Sequence, residues 1–159
     1  NGSIGQAKRH LHATAKEITQ EFPGVTGYIS VNKALVTQSS AAIPIVPLYI
    51  SILYRVMKEH QCHEGCIQQM YRLFHDKLSG DTPQVDEEGL IRMDDWEMRE
   101  DIQQEVSVLW KEISTENVEQ VADIKGYWED FYQIFGFSVP GVDYEQDVNV
   151  DVSIPSLAE

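Results

Sequence analysis

Apolar and small residues recur every three or four positions in the first part of the chain. This pattern predicts an amphipathic helix over residues 4–22, which Pro23 and Gly24 are expected to end. Residues 28–37 are then rich in β-branched and other apolar side chains, which predicts a short buried strand that ends at Thr37. A helix followed by a turn and a buried strand indicates an α/β fold.

The rest of the chain is predicted to be mainly helical. The segment 37–42 is small and polar, which suits a close approach by a ligand, and helices are expected over residues 48–59 and 64–78. A small β-hairpin is predicted over residues 85–92, and Asp94 or Asp95 is expected to cap the helix that follows. Further helices are expected from Thr115 or Glu116 and after Gly126.

This inventory, mainly helical with one central strand and a small hairpin, is incomplete for an α/β domain, which needs several strands. We therefore expect the missing strands upstream of this chain. The absence of a methionine at residue 1 leads to the same expectation of a longer protein.

Charge and hydropathy narrow the classes of partner. Acidic residues outnumber basic ones 26 to 12, and a formal charge of −14 argues against nucleic acid as a partner. A small anion such as a nucleotide cofactor stays possible, because one lysine and a few backbone amides can hold it locally. The longest apolar run, residues 41–53, is too short and too interrupted by proline to predict a membrane span.

The predictions of cellular compartment and of metal binding rest on a few cysteine and histidine residues. Only two cysteines occur and no secretory signal is visible, which favours a cytoplasmic location. Both cysteines lie in a group of potential zinc ligands whose crowded spacing instead favours the entry turn of a helix, with Glu64 in its first turn and Cys66 buried. That group comprises His60, Cys62, His63 and Cys66.

Other candidate residues have a structural explanation. Asp94 and Asp95 could form a carboxylate site, but a helix cap explains them better. The aromatic residues Trp128, Phe131 and Phe135 recur at helical spacing and are expected to anchor a core. By position alone, Lys8 would be a solvated surface lysine, although Gly5 in the same helix hints at a close approach to the backbone.

A family resemblance changes the interpretation of Lys8. Along nearly the whole chain, in this order, the sequence contains GSIGQAK, VNKALVTQSSAAIPIVPLYIS, YRVMKEHQCHEGCIQQMYRLF, RMDDWEMREDIQQEV and GYWEDFYQIFGF. Together these segments resemble the C-terminal portion of the NADH-dependent trans-2-enoyl-CoA and enoyl-acyl-carrier-protein reductases. These are relatives of the short-chain dehydrogenases with a Rossmann-type core and an enlarged helical cap.

The resemblance implies reduction of the carbon–carbon double bond of enoyl thioesters with NADH. Lys8 matches the family's catalytic lysine, which also holds the cofactor, and its partner tyrosine would precede residue 1. Leu35, Val36 and Thr37 match the strand end beside the nicotinamide, and Tyr54 matches a position that faces the substrate. The Gly-rich pyrophosphate turn of the family is missing, so this chain alone is expected to be inactive.

The resemblance also implies two parts. Residues 1–60 would be the C-terminal part of the catalytic core, including the substrate-side helix, and residues 61–159 would be the helical cap and C-terminal extension. The implied partners are an enoyl-CoA or enoyl-acyl-carrier-protein substrate and the N-terminal part of the same enzyme. Without the resemblance, an acidic helical module that binds a partner, or a zinc-binding helical domain, would remain as alternatives.

Overall fold

A computed structural model describes residues 2–151 of the protein. The chain is mostly helical, with two short strands that form one parallel sheet. The elements, in chain order, are α1 (Ser3–Glu21), β1 (Ile29–Val31), α2 (Gln38–Ala41), α3 (Val46–Glu59), α4 (Cys66–Arg72), β2 (Leu90–Arg92), α5 (Glu100–Glu112), α6 (Val118–Val121) and α7 (Ile124–Ile134). A π-helical turn, Leu73–Lys77, continues α4.

Helix α3 is the centre of the molecule. Pro47 lies in its first turn, where the missing amide hydrogen costs nothing, and its side chains are apolar on nearly every face. A helix of this kind must be covered on several sides, and α3 packs against both α5 and α7. The main core consequently lies around Ile52, Leu53, Val56 and Met57, against Ile102 and Val106 of α5.

Helix α1 is built as predicted but is covered very little. It ends before Pro23 and Gly24, and Gly24 takes a positive φ of 83° that glycine adopts without strain. None of its residues is buried, and Ile4, Leu11 and Ile18 are exposed along one side. Within the described residues, this apolar stripe is therefore left open.

The predicted hairpin at residues 85–92 is wrong. Its turn is present, since the amide of Gly89 donates to the carbonyl of Asp86 at 3.0 Å, but the last residues of the segment form β2, which runs parallel to β1. Ile29 is paired with Leu90, and Val31 with Arg92. A parallel pair needs a long crossover, which α2, α3 and α4 supply, and local sequence does not reveal such a distant partner.

The strand prediction was too long at its C-terminal end. Strand β1 stops at Val31 rather than at Thr37, and the amides of Ala34 and Val36 bind side chains instead of a neighbouring strand. The fold class itself is confirmed: the chain is part of an α/β fold, mainly helical, with a small parallel sheet.

Two further predictions need correction. Helix α5 begins at Glu100, so neither Asp94 nor Asp95 caps it. On α7 the buried aromatic residue is Tyr127, whereas Trp128 and Phe135 are exposed. The sequence pattern identified the aromatic helix but could not tell which of its faces is covered by α3. None of the helices described in residues 2–151 is both long and apolar enough to cross a membrane.

Candidate functional site

The segment 33–37 follows β1 and is held by side chains from distant parts of the chain. The amide of Ala34 donates a hydrogen bond of 2.7 Å to the buried carboxylate of Glu97. The second oxygen of that carboxylate accepts a bond of 2.7 Å from the hydroxyl of Tyr49 on α3. The backbone after β1 is thus fixed by a carboxylate that is itself fixed by a tyrosine.

Tyr54 of α3 makes a second, similar arrangement. Its side chain is only 1% exposed, and its hydroxyl donates to the carboxylate of Asp130 on α7 at 2.7 Å. The same hydroxyl oxygen accepts a longer bond, 3.4 Å, from the amide of Val36. Burial, reinforced by Asp130, raises the pKa of Tyr54 well above its ordinary value, so the hydroxyl stays protonated and remains a donor.

Lys33 is buried beneath this segment, a position that sequence analysis missed. Its ammonium donates to the carbonyl of Ala34 at 3.0 Å and lies 4.9 Å from the centre of the Tyr54 ring. Burial lowers the pKa of Lys33 to about 8, although Glu97 and other carboxylates oppose that shift. The available signal was a lysine directly before the apolar residues 34–36, because lysine is rarely buried unless it is paired.

Thr37 caps α2 instead of ending a strand. Its hydroxyl oxygen accepts from the amide of Ser40 at 3.0 Å, while the Ser40 hydroxyl oxygen accepts from the amide of Thr37 at 2.8 Å. This reciprocal pair is a capping box. It gives Thr37 a structural role, because its hydroxyl oxygen accepts a local backbone hydrogen bond. Ser40 also donates to the carbonyl of Leu35 at 3.1 Å. Leu35, Val36 and Thr37 are therefore fixed at both ends.

A cavity of about 570 Å³, called here the main cavity, opens beside this segment. Its size is that of a site for a small ligand or part of a cofactor. Apolar and polar groups alternate around it, among them Leu35, Val36, Tyr54, His63, Ile67, Gln68, Asp130 and Ile134. The structure thus brings Leu35, Val36 and Tyr54 of the predicted site together.

His63 is the most unusual titratable group of the main cavity. Its ring packs edge-on against Tyr54 at 4.4 Å, and its buried Nδ1 has no hydrogen-bond partner among the described residues. Burial lowers the pKa of His63 to about 4, and the charges of Lys33 and Lys58 act in the same direction. A neutral imidazole beside the cavity can accept or donate one hydrogen bond to a bound polar group.

The predicted catalytic lysine lies elsewhere. Lys8 is exposed on α1 and lines a shallow groove of about 590 Å³ with Arg9, His12, Ala13 and Lys16. This groove and the main cavity share none of their lining residues. Within the described residues, the structure therefore does not unite Lys8 with Leu35, Val36, Thr37 and Tyr54.

The four potential zinc ligands point to different partners. His60 binds Glu105 through Nε2 at 2.8 Å, His63 packs on Tyr54, Cys62 is buried and Cys66 is exposed. Helix α4 begins at Cys66, so Glu64 precedes it and binds Arg72 instead of occupying a first turn. In the described part of the chain, no three or more His, Cys, Asp or Glu side chains are grouped to hold a metal.

The acidic pair before α5 belongs to a charge network. Asp94 accepts from the guanidinium of Arg92, and Asp95 accepts from Arg72 at 2.7 Å and from Lys77 at 2.9 Å. Both carboxylates are ion-paired with these cations. Neither caps a helix, and the two do not form an acid–base pair.

Comparison with known proteins gives consistent matches along the chain. Residues 1–79 match the family model described as the trans-2-enoyl-CoA reductase catalytic region, and residues 85–148 match the model described as the enoyl reductase FAD binding domain. The enoyl-[acyl-carrier-protein] reductase [NADH] of Coxiella burnetii is 58% identical over 99% of this chain and 40% of its own length. The trans-2-enoyl-CoA reductase of Euglena gracilis is 52% identical over 100% of this chain and 30% of its own length.

A solved structure agrees with these relatives. The crystal structure of Treponema denticola trans-2-enoyl-CoA reductase in complex with NAD superposes with a TM-score of 0.87 at 48% identity, over 92% of this chain and 37% of that one. The fold and these matches assign the chain to the class of α/β enoyl reductases, as a C-terminal part. The chain belongs to the trans-2-enoyl-CoA reductase family and spans about 40% of the length of the bacterial relatives that it matches.

The residues that match the flavin-named model do not fit a flavin dinucleotide. Residues 85–148 contain four cationic side chains, Arg92, Arg99, Lys111 and Lys125. Three of them are paired with carboxylates, namely those of Asp94, Asp101 and Glu129. A pyrophosphate needs cations or free backbone amides in a cradle, and these paired cations do not supply one.

Proposed function

We propose that this chain works as the C-terminal part of an enzyme that reduces the carbon–carbon double bond of trans-2-enoyl thioesters with NADH. The thioester would be carried by CoA or by acyl carrier protein. One observation carries the proposal: Leu35 and Val36, which match the family's nicotinamide-binding residues, line a cavity of about 570 Å³ together with Tyr54. The names of the relatives from Coxiella burnetii and Euglena gracilis support the same chemistry.

The residues around the main cavity fit a nicotinamide and a short acyl thioester. Leu35, Val36 and Ile67 offer apolar walls, and the unpartnered Nδ1 of His63 offers a polar contact. NADH, when bound, supplies the hydride for the β-carbon of the thioester. The chain's own task is to orient the nicotinamide through the backbone of residues 35–37 and to exclude water from the reacting atoms. The ring of Tyr54 forms part of the substrate wall.

Lys8 has the catalytic role in this proposal. Its ammonium would bind the ribose hydroxyls of the cofactor and lower the pKa of a tyrosine that precedes residue 1. The open position of Lys8 on α1 and the uncovered apolar stripe of Ile4, Leu11 and Ile18 support an N-terminal region packed on this helix. That region of the same enzyme is the proposed partner that completes the site.

Two organisational proposals accompany the function. Residues 1–60 form the end of the catalytic core, and residues 61–159 form the cap, of which residues 152–159 lie outside the described part. The packing of α3 against α5 and α7 supports a cap seated on the substrate-side helix. A cytoplasmic location is proposed because Cys62 and Cys66 are both free thiols, as a reducing compartment requires.

The test uses the complete protein, meaning this chain with its proposed N-terminal region. We expect oxidation of NADH, followed at 340 nm, that depends on crotonyl-CoA and yields butyryl-CoA in equal amount. The chain of 159 residues alone should show none. A complete protein that leaves NADH unchanged with both crotonyl-CoA and crotonyl-acyl carrier protein would refute the proposed function.

A further inference from the structure

Two carboxylates from the C-terminal half of the chain fix the backbone that the proposed function assigns to the cofactor. Glu97 lies between β2 and α5, and Asp130 lies on α7. Glu97 accepts directly from the amide of Ala34, while Asp130 anchors the Tyr54 hydroxyl that accepts from the amide of Val36. Alternate amides of one segment are therefore tied to two separate elements.

Each carboxylate is held in turn. Glu97 is buried, and its oxygens are shared between Ala34 and the hydroxyl of Tyr49, both at 2.7 Å. The carbonyl of Glu97 also accepts from the side chain of Gln103 on α5 at 2.8 Å. A hydrogen bond to a charged, buried acceptor is stronger than one between neutral groups, so the Ala34 contact is the firmer of the two ties.

We propose that Glu97 and Asp130 are positioning residues that fix the backbone of residues 35–37 for cofactor binding. This inference rests on the proposed function. A segment that leaves its strand after Val31 would otherwise have to be ordered when the cofactor binds, and the loss of conformational freedom would weaken binding. Glu97 does not line the main cavity, so its effect on the cofactor must pass through the backbone of Ala34.

The proposal predicts different effects on the KM for NADH and the KM for crotonyl-CoA. In the complete protein, Glu97→Ala and Tyr54→Phe should each raise the KM for NADH about tenfold, as expected for the loss of one hydrogen bond to a buried group. The KM for crotonyl-CoA should change by less than about twofold in Glu97→Ala, because Glu97 does not line the main cavity. Glu97→Gln retains an acceptor for Ala34 and should restore most of the NADH affinity.

Tyr127→Phe is the matched control. Tyr127 is a buried tyrosine of the same core cluster as Tyr54 and Val36, and within the described residues its hydroxyl makes no hydrogen bond to the segment 33–37. This substitution should leave both KM values unchanged. Deuterium exchange of the peptide containing residues 34–37 gives a readout without cofactor, and it should become faster in Glu97→Ala and Tyr54→Phe but not in Tyr127→Phe.

The following outcomes decide between these explanations. Unchanged exchange in Glu97→Ala and Tyr54→Phe, or an equal change in Tyr127→Phe, overturns the inference. Faster exchange with an unchanged KM for NADH in an active protein also overturns it, because the tie would then be structural only. If the unsubstituted complete protein does not oxidise NADH with enoyl thioesters, the proposed function fails. The exchange result then shows by itself whether Glu97 and the Tyr54 hydroxyl hold the amides of Ala34 and Val36.

Discussion

The guanidinium of Arg72 donates two hydrogen bonds to the carboxylate of Glu64, at 2.9 Å from Nε and 2.6 Å from Nη2. Arg72 is 6% exposed and Glu64 is 3% exposed, so both charges are out of water. Arg72 also donates to the carbonyl of Met93 just after β2, and its guanidinium stacks over the ring of Trp96. The pair thereby ties α4 to the end of the sheet.

Removing one partner of this pair should be costly. Arg72→Met leaves the buried carboxylate of Glu64 without its cation, and we expect a loss of about 3–5 kcal/mol in the free energy of unfolding. Glu64→Gln combined with Arg72→Met should be more stable than Arg72→Met alone, because no uncompensated charge is left. Urea denaturation followed by circular dichroism measures both effects.

The exposed pair of Arg55 and Glu59 is the matched control. These residues form an i,i+4 pair on the surface of α3. Arg55→Met should therefore change the free energy of unfolding by no more than about 0.5 kcal/mol. A loss in Arg55→Met as large as that in Arg72→Met would mean that the effect comes from the arginine stem and not from the buried charge.

Lys8 should be essential for catalysis but not for folding. It is exposed on α1, so Lys8→Ala should leave the melting temperature of the complete protein unchanged. Loss of its charge should lower kcat/KM for NADH oxidation with crotonyl-CoA about 100-fold or more. Lys16 lies in the same groove on the same helix, and Lys16→Ala should keep at least half of the activity. Equal losses in both variants would indicate a general effect of charge on α1.

Local patterns revealed the helices better than the sheet. The apolar periodicity of α1 and α3 and the breakers Pro23 and Gly24 act within a few residues, so the sequence alone placed these helices well. The pairing of Ile29 with Leu90 joins residues far apart in the chain, and the local sequence of neither segment predicts which strand it pairs with. The same distance explains why a nearby turn was mistaken for a hairpin.

The candidate site likewise contains residues that local sequence reveals and residues that only distant contacts reveal. Leu35, Val36 and Thr37 came from the family resemblance. The small polar segment 37–42 was expected to suit a ligand, but none of its residues lines the main cavity. Glu97 and Asp130 carry no local sequence signal, because only their distant partners, the Ala34 amide and the Tyr54 hydroxyl, reveal their role. The position of Lys33 directly before the apolar residues 34–36 was a signal of its burial that was overlooked.

A side chain at Gly126 should displace the ion pair of Lys58 and Asp123. A Cβ atom at this position would lie 2.6 Å from the ammonium of Lys58 and even closer to the carboxylate of Asp123, so Gly126→Ala must push apart the ion pair that joins α3 to the start of α7. We expect a lower melting temperature of the complete protein. Gly80→Ala is the control, since the nearest atom to its Cβ is 3.8 Å away, and it should be neutral. Equal melting temperatures for the two variants would contradict this account of the helix junction.

His63 should make the stability of the protein depend on pH between about 6.5 and 4. Its pKa is lowered to about 4 in the folded chain, chiefly by burial and then by Lys33 and Lys58, while Asp123 opposes the shift. In the unfolded chain it takes up a proton near the ordinary histidine pKa of about 6.5. The unfolded state then binds more protons, so the stability that neutral His63 contributes is complete above pH 6.5 and is lost as the pH falls towards 4.

The direct measurement is a proton NMR titration of the histidine ring signals in the complete protein, with His63→Gln used to assign the resonance. The His63 signal should stay in its neutral position down to about pH 5. His63→Gln should also reduce the drop in the free energy of unfolding between pH 7 and pH 5. A His63 signal that titrates near pH 6.5 would mean that the imidazole is solvated, and the main cavity would then be far more open to water than its packing against Tyr54 implies.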